Sequence, residues 1–329
     1  MTQKLKVVVT DYEYYDLRYE ERVLQALPDV ELVKGQARTE DEVIEIAKDA
    51  DGIINQYAPI SAKVIEQLEK CKVISRYGVG VNTIDIPKAT EKGIYVANVP
   101  DYCMDEVSDH TLALLMSWAR KVVLLNQYVK NGVWDFKKGI PIHRFQTQTV
   151  GVLGFGRIPR SLVKKLIAIG FNVLVYDPYV PEDVIHEAQA EPASLEEIFR
   201  KADFVSVHIP LTDETKGLIN KDLFKLAKKN LVIVNTARGP VINEQDLIEA
   251  LQAGQIAGAA LDVVEIEPIQ PDNPLLTMDN VILTPHVAWY SEESEDEMRS
   301  KCARNVLEAL QGQTPTYLVN KDVLNVLKK

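Results

Sequence analysis

The segment Thr149-Val-Gly-Val-Leu-Gly-Phe-Gly-Arg-Ile-Pro159 constrains the fold more than any other part of the chain. An apolar run of β type empties into Gly154-Phe-Gly156 and then into the helical pattern Arg160-Ser-Leu-Val-Lys-Lys-Leu-Ile-Ala-Ile169. Strand, tight glycine turn and helix start together present free backbone N–H groups, the geometry that receives a pyrophosphate. The next strand, Asn172–Tyr176, ends in Asp177, twenty-three residues after Gly154. A carboxylate there can accept from both hydroxyls of an adenosine ribose. Gly154, Gly156, Arg157, Ile158 and Asp177 are therefore read as a dinucleotide site. Pro159 stands where such turns usually carry a third glycine. A proline in a helix's first turn loses only an N–H that has no intrahelical partner, so the turn keeps its function and changes its packing.

Around this turn the chain alternates apolar runs with amphipathic stretches. Lys6–Thr10, Glu31–Lys34, Gly52–Tyr57, Val73–Tyr77 and Tyr95–Val99 read as strands, with helical patterns at Leu17–Ala26, Glu40–Ala50 and Ala62–Lys70 between them. Such alternation predicts a parallel sheet covered on both faces. Asp105–Tyr128 reads as one long helix, and six strands follow at Val150–Gly154, Asn172–Tyr176, Phe204–His208, Leu231–Asn235, Ala257–Leu261 and Val281–Thr284, as in a Rossmann sheet. The charged helical stretch Ser291–Gln311 can run back to the first unit. The expected fold class is α/β, two doubly wound parallel-sheet domains: residues 1–100 and 291–329 form one domain and residues 101–290 the other, with the crossings near Pro100 and Tyr290 as a hinge.

With 329 residues the chain can bury two cores. A net charge of −11 offers no field for a phosphate backbone, which excludes direct nucleic-acid binding in the absence of a basic patch, and the sequence shows none. Cys71, Cys103 and Cys302 are odd in number and widely spaced, without metal-ligand clustering, so they read as buried apolar thiols and no metal site is expected. Met1 to Lys6 leads directly into a strand, and the longest apolar run, Thr111–Trp118, is too short to span a bilayer. A cytoplasmic protein without membrane association is expected.

In open α/β sheets ligands bind beyond the carboxyl ends of the strands. Arg238 follows one strand in Asn235-Thr-Ala-Arg-Gly-Pro240, Asp262 ends the next, Glu267 follows in Glu265-Ile-Glu-Pro268, and His286 follows the last in Leu283-Thr-Pro-His286. Any one of these alone is more often a cap or a surface charge. Three in order on successive connections of one sheet suit hydride transfer to a 2-oxo acid, where the developing alkoxide demands a proton that an imidazolium can supply. A carboxylate such as Glu267 favours the charged imidazole and fixes its tautomer. Arg238 offers a planar fork to a carboxylate and a carbonyl, and Asp262 can orient a nicotinamide carboxamide. His208 and Pro210, at another strand end, are expected to line the nicotinamide pocket. His110, His143 and His186 have no such company and are left structural. Val73-Ile-Ser-Arg-Tyr-Gly-Val-Gly80 is a strand running into a second glycine turn, whose N–H groups can hold a carboxylate.

These residues resemble the D-isomer-specific 2-hydroxyacid dehydrogenases from end to end. The matching motifs are Arg76-Tyr-Gly-Val-Gly-Val-Asn-Thr-Ile-Asp85, Asn98-Val-Pro100 with Val107-Ser-Asp109, Gly154-Phe-Gly156, Tyr176-Asp-Pro178, His208-Ile-Pro-Leu-Thr212, Asn235-Thr-Ala-Arg-Gly239, Leu261-Asp-Val263 with Glu267-Pro268, and Thr284-Pro-His286. The resemblance implies a flavodoxin-like substrate domain and a Rossmann domain binding NAD. It also implies Arg238, Glu267 and His286 as the catalytic set, cofactor contacts that add Thr236 and Ala237, and a homodimer formed through the cofactor domains with the long helix taking part. It gives the substrate's carboxylate to Gly78, Val79 and Gly80, with Arg76, Tyr77 and Trp289 nearby. Pro159 and Asn82-Thr83 depart from the family pattern in packing more than chemistry.

Ala288-Trp-Tyr-Ser-Glu-Glu-Ser294 is similar to the C-terminal binding protein branch, NAD(H)-dependent corepressors that retain a dehydrogenase site, and bacterial relatives with this signature are usually labelled phosphoglycerate dehydrogenases. The chain ends near Lys329, which leaves no room for the regulatory domain of many of the latter. Glu267, where formate dehydrogenases of the family carry glutamine, argues against formate. The expectation is an NAD-dependent D-2-hydroxyacid dehydrogenase working on a small 2-oxo or 2-hydroxy acid. The alternatives are phosphoglycerate dehydrogenase specifically and an NADH-sensing binding protein with incidental turnover. Trp289, three residues past His286, leads to the further expectation that bulky apolar 2-oxo acids are preferred to glyoxylate.

Overall fold

The computed structural model describes residues 4–328, so the reading of Met1–Gln3 as a direct lead into a strand lies outside the described residues. The chain divides into two compact units, one made of residues up to Tyr102 together with those from Ser291 onward, the other of Cys103–Tyr290. In the first, β1 (Leu5–Val9), α1 (Arg18–Leu24), β2 (Val30–Lys34), α2 (Glu40–Ala47), β3 (Gly52–Asn55), α3 (Ala62–Glu66), β4 (Val73–Arg76), α4 (Ile86–Glu91) and β5 (Tyr95–Ala97) alternate. Their sheet is parallel throughout, in the order β2-β1-β3-β4-β5. This is the flavodoxin-like order.

The central unit begins with α5 (Met104–Ala119) and α6 (Val122–Lys130). The single helix expected over Asp105–Tyr128 is thus broken. Lys121 adopts a left-handed backbone with φ 57°, and its ammonium lies 3.0 Å from the centroid of the Trp118 ring. No glycine or proline marks this break. Then come β6 (Thr149–Leu153), α7 (Arg157–Ile169), β7 (Asn172–Tyr176), α8 (Glu182–Glu187), β8 (Glu191–Pro192), α9 (Leu195–Lys201), β9 (Phe204–Val207), α10 (Lys221–Leu226), β10 (Val232–Asn235), α11 (Glu244–Gln252), β11 (Gly258–Leu261) and β12 (Val281–Leu283). Seven strands run parallel in the order β12-β11-β10-β9-β6-β7-β8. The sequence reading had six, because β8 is a two-residue edge strand containing Pro192, too short to carry a periodic pattern. β9, β10 and β11 are buried at every residue, as a parallel sheet covered by helices on both faces requires.

The chain then returns to the first unit through α12 (Glu292–Leu310) and α13 (Val323–Val326). Met298, Cys302, Ala303 and Val306 of α12 are buried, and α12 packs on β3, β4 and α1. Arg299 is held here. Its Nε and Nη2 donate to the two Glu20 oxygens at 2.8 Å each, its Nη1 donates to Glu295 at 2.7 Å, and its guanidinium lies 4.4 Å from the Tyr14 ring centroid. The Tyr77 hydroxyl donates to the same Glu20 at 2.7 Å. Burial, with Glu20 next, pushes the Tyr77 phenol well above its ordinary pKa, so it stays a donor. This cluster ties α1, the end of β4 and α12 together.

Breaking a buried ion pair from one side leaves the other charge desolvated, at a cost of about 3–5 kcal/mol. Arg299→Met is therefore expected to lower the unfolding free energy by about that amount in urea titration, whereas Glu20→Met with Arg299→Met together restores part of the loss.

Candidate functional site

The register of the seven-stranded sheet places the candidate residues before any side chain is considered. Tyr176, Leu153, Val207, Asn235, Leu261 and Leu283 pair across β7, β6, β9, β10, β11 and β12 in one row. The residues that follow them are Asp177, Gly154, His208, Thr236, Asp262 and Thr284, one from each carboxyl end. β6 lies between β7 and β9, so the glycine turn sits where the strand order reverses, the usual place for a ligand in such sheets.

At that turn Gly154 has φ +93°, and a Cβ there would come within 3.0 Å of the His208 carbonyl oxygen. Gly156 is different: a Cβ on it would meet no protein atom within 4 Å. Packing within the chain therefore does not ask for glycine at 156, while close approach of a pyrophosphate to the backbone does. Gly156 caps α7 without a side chain, and Arg157 and Ile158 open the helix. Asp177 accepts from the Phe155 amide at 2.8 Å and the Tyr179 amide at 2.9 Å, which fixes the turn and leaves lone pairs for ribose hydroxyls. Pro159 is the buried third residue of α7, and the helix begins at Arg157 rather than Arg160. These residues fit a dinucleotide.

His208 is held by Ser206, whose hydroxyl lies 2.8 Å from Nε2, and burial pushes its pKa down to about 4, so the ring is neutral. The Pro210 carbonyl accepts from the Thr215 hydroxyl at 2.6 Å. The Thr236 hydroxyl is bonded to Thr111 of α5 at 2.7 Å, and the Ala237 amide donates to Asn235 Oδ1 at 3.0 Å. Asn235 also donates to the Arg238 carbonyl at 3.0 Å, so this buried amide shapes the turn that carries Arg238. Arg238 Nη1 donates to the Ala237 carbonyl at 2.6 Å.

His286 Nδ1 is 2.6 Å from Glu267 Oε2. An ionised carboxylate only accepts, so Nδ1 carries the proton and Nε2 is the nitrogen that can serve a ligand. Partial burial acts to raise the Glu267 carboxyl, but the hydrogen bond and charge of His286, the Val264 amide and the charge of Arg238 outweigh it and hold it below its ordinary value.

Asp262 is 1% exposed, and its carboxylate is already engaged. It accepts from the Thr284 hydroxyl at 2.5 Å, the Val287 amide at 2.9 Å and the Ala288 amide at 2.9 Å, while its main-chain oxygen takes the His286 amide at 2.8 Å. The sequence reading gave Asp262 to a nicotinamide carboxamide. The structure makes it first the anchor of the segment that presents His286, whose φ is 53°. His110, set aside in the sequence as structural, joins this cluster with Nε2 3.0 Å from Thr284 Oγ1 and 3.6 Å from Asp262 Oδ1. Residues 110 and 284 are too far apart in sequence for any spacing rule to pair them. His143 is exposed, and His186 is half exposed beside Glu191. Trp289 meets Tyr290 edge-on, with ring centroids 5.5 Å apart.

In the other unit, Gly78 has φ +91°, its carbonyl accepts from the Val99 amide at 3.0 Å, and the Val79 carbonyl accepts from Asn98 Nδ2 at 2.6 Å. These bonds hold the turn through Gly80. Arg76 Nε donates to the Gln56 carbonyl at 3.2 Å, with its guanidinium 6.0 Å from the Tyr57 ring centroid. Tyr77 corrects the sequence reading: its side chain is 2% exposed and committed to Glu20, so it braces the turn and offers a ligand no side-chain contact. Of the cysteines expected to be buried, Cys103 and Cys302 are, with Cys302 Sγ 3.1 Å from the Ser75 hydroxyl, whereas Cys71 is partly exposed. Among the described residues no group of three or more His, Cys, Asp or Glu is placed to hold a metal, and no helix is long and apolar enough to cross a membrane.

The profile of the D-isomer specific 2-hydroxyacid dehydrogenase NAD binding domain matches residues 112–288. The chain is 40% identical over 320 residues to a D-3-phosphoglycerate dehydrogenase of Methanocaldococcus jannaschii, covering 96% of this chain and 59% of that one. It thus spans little more than half the length of that relative. A glyoxylate reductase of Korarchaeum cryptofilum is 38% identical over 291 residues, covering 86% of this chain and 87% of its own. The D-lactate dehydrogenase of Aquifex aeolicus, solved with NAD and lactic acid, superposes with a TM-score of 0.85 at 28% identity, covering 95% of this chain and 99% of that one. The chain belongs to the D-isomer-specific 2-hydroxyacid dehydrogenase family of NAD-dependent oxidoreductases acting on a CH–OH group.

Proposed function

We propose that this chain reduces small 2-oxo acids with NADH and oxidises the matching D-2-hydroxy acids with NAD, using Arg238, Glu267 and His286 as its catalytic set. The observation that carries this reading is the 2.6 Å His286–Glu267 pair at the sheet edge that also bears the dinucleotide turn. The nicotinamide, when bound, supplies or accepts the hydride. In reduction, His286 gives the proton on Nε2 to the substrate oxygen, and Glu267 stabilises the imidazolium before transfer. Arg238 polarises the carbonyl and binds the carboxylate. In the other unit, the backbone N–H groups of the turn at Gly78 to Gly80 suit an anion. In oxidation the neutral His286 takes the proton back.

Glyoxylate is the first substrate to test. Several of the relatives that this chain resembles are named glyoxylate reductase, at 36–38% identity over 86–88% of this chain. Steady-state kcat/KM for glyoxylate, pyruvate, phenylpyruvate and phosphohydroxypyruvate with NADH tests the reading, and failure to turn over any of them contradicts it.

We also propose a homodimer in which a second copy covers the exposed apolar stretch 122–142. Trp134 is 89% and Phe136 77% exposed, and Val122, Val123, Val129, Ile140 and Ile142 extend the patch. So much exposed apolar surface in one segment marks an interaction site. Beside it lies a cavity of about 690 Å³ that is lined by Trp118, Lys121, Leu276 and Met278 and shares no residue with the catalytic set. The free cysteines suit the cytoplasm, and the charge of −11 disfavours nucleic acid as a partner.

His286→Ala is expected to lower kcat for glyoxylate by roughly 10²–10⁴ while NADH still binds by fluorescence titration. Glu267→Gln removes the charge that favours the imidazolium, so the alkaline limb of kcat for reduction should move to lower pH. Asp177 would meet the extra phosphate of NADPH with like charge; the wild type should prefer NADH, and Asp177→Ala should narrow the ratio of kcat/KM values. In sedimentation equilibrium the wild type should run at twice the chain mass, and Val123→Asp combined with Phe136→Asp should run at the chain mass.

A further inference from the structure

His110 projects from α5 toward the segment that carries His286, and hydrogen bookkeeping at Thr284 fixes its role. Both Asp262 oxygens accept amide hydrogens, from Val287 and Ala288, and Oδ1 also takes the Thr284 hydroxyl hydrogen at 2.5 Å. A hydroxyl has one hydrogen, so Thr284 turns only lone pairs toward His110. His110 Nε2, 3.0 Å away, must therefore be the donor. The donors run one way, from His110 to Thr284 to Asp262. At the end of that chain stands the carboxylate that fixes Val287 and Ala288, the two residues immediately after His286.

We propose that His110 is a positioning residue for His286. Its Nε2–H orients Thr284, Thr284 orients Asp262, and Asp262 holds residues 284–288 in the conformation that places the His286 ring against Glu267. A non-glycine residue at φ 53° costs about 1–3 kcal/mol and persists only where its surroundings over-determine it. The Asp262 cluster, with His110 in it, supplies that constraint. The described partners of the His110 ring are Thr284 and Asp262, so its effect is on geometry and not on the proton itself. The inference rests on His286 being the proton donor.

The test compares His110→Leu, His110→Gln and Thr284→Val with wild type. One readout is kcat at saturating glyoxylate and NADH; the other is hydrogen–deuterium exchange of residues 284–290 by mass spectrometry, which needs no turnover. His110→Leu is expected to lower kcat by about 3- to 30-fold, the scale of a sub-ångström misplacement. It should leave the KM for NADH within about twofold and speed exchange in the segment about tenfold. His110→Gln, whose amide N–H can replace Nε2–H, should recover most of both. His110→Leu should add nothing in the Thr284→Val background, because the link is already cut. Wild-type kcat in His110→Leu, equal loss in the Leu and Gln variants, or faster exchange with unchanged kcat would each overturn the proposal. Full turnover in His286→Ala would instead overturn the functional reading, and the exchange comparison then decides the His110 link by itself.

Discussion

A carboxylate that is almost wholly withdrawn from water must be hydrogen-bonded on every side or cost the fold several kcal/mol, and Asp262 meets that demand with the loop that bears His286. Its donors are the Thr284 hydroxyl and the Val287 and Ala288 amides. The exchange runs both ways. The loop satisfies the buried charge, and the buried charge holds the loop in a backbone conformation that a histidine rarely adopts. The 2.6 Å pair is thus presented by a segment anchored on a group that is shielded from solvent.

The sheet supplies the larger scale of this order. Parallel strands in register bring one residue from each carboxyl end into a row, so Asp177, Gly154, His208, Thr236, Asp262 and Thr284 are neighbours because their strands stop at the same level. The dinucleotide turn and the His286–Glu267 pair then share one edge without a dedicated scaffold. Local environment divides the work at this edge. Burial drives His208 neutral, while the hydrogen bond and charge of His286 hold Glu267 ionised against the opposing effect of burial.

The parts of this arrangement that the sequence discloses are those written in local pattern. Apolar runs ending in a polar residue mark strand ends, and Gly154-Phe-Gly156 before an amphipathic stretch marks the turn, so most of the row is legible one strand at a time. Where no local pattern exists the sequence is silent. β8 has two residues and a proline, the break at Lys121 has no helix breaker, and Tyr77 sits in a turn motif while its side chain points into the core. Asp262 and Thr236 are correctly placed at strand ends, yet their side-chain partners are set by packing against α5 and the last loop. His110 is the clearest case, because its partner is contributed by the far end of the same unit.

The most direct test is single-turnover transfer of deuterium from [4,4-²H₂]NADH to glyoxylate, in wild type and in Asp262→Asn. The account predicts glycolate carrying the label at C2 in wild type, and a transfer rate at least tenfold lower in the variant, where the carboxylate that fixes the His286 segment is replaced by an amide. Unlabelled glycolate, or an unchanged transfer rate in Asp262→Asn, would contradict it.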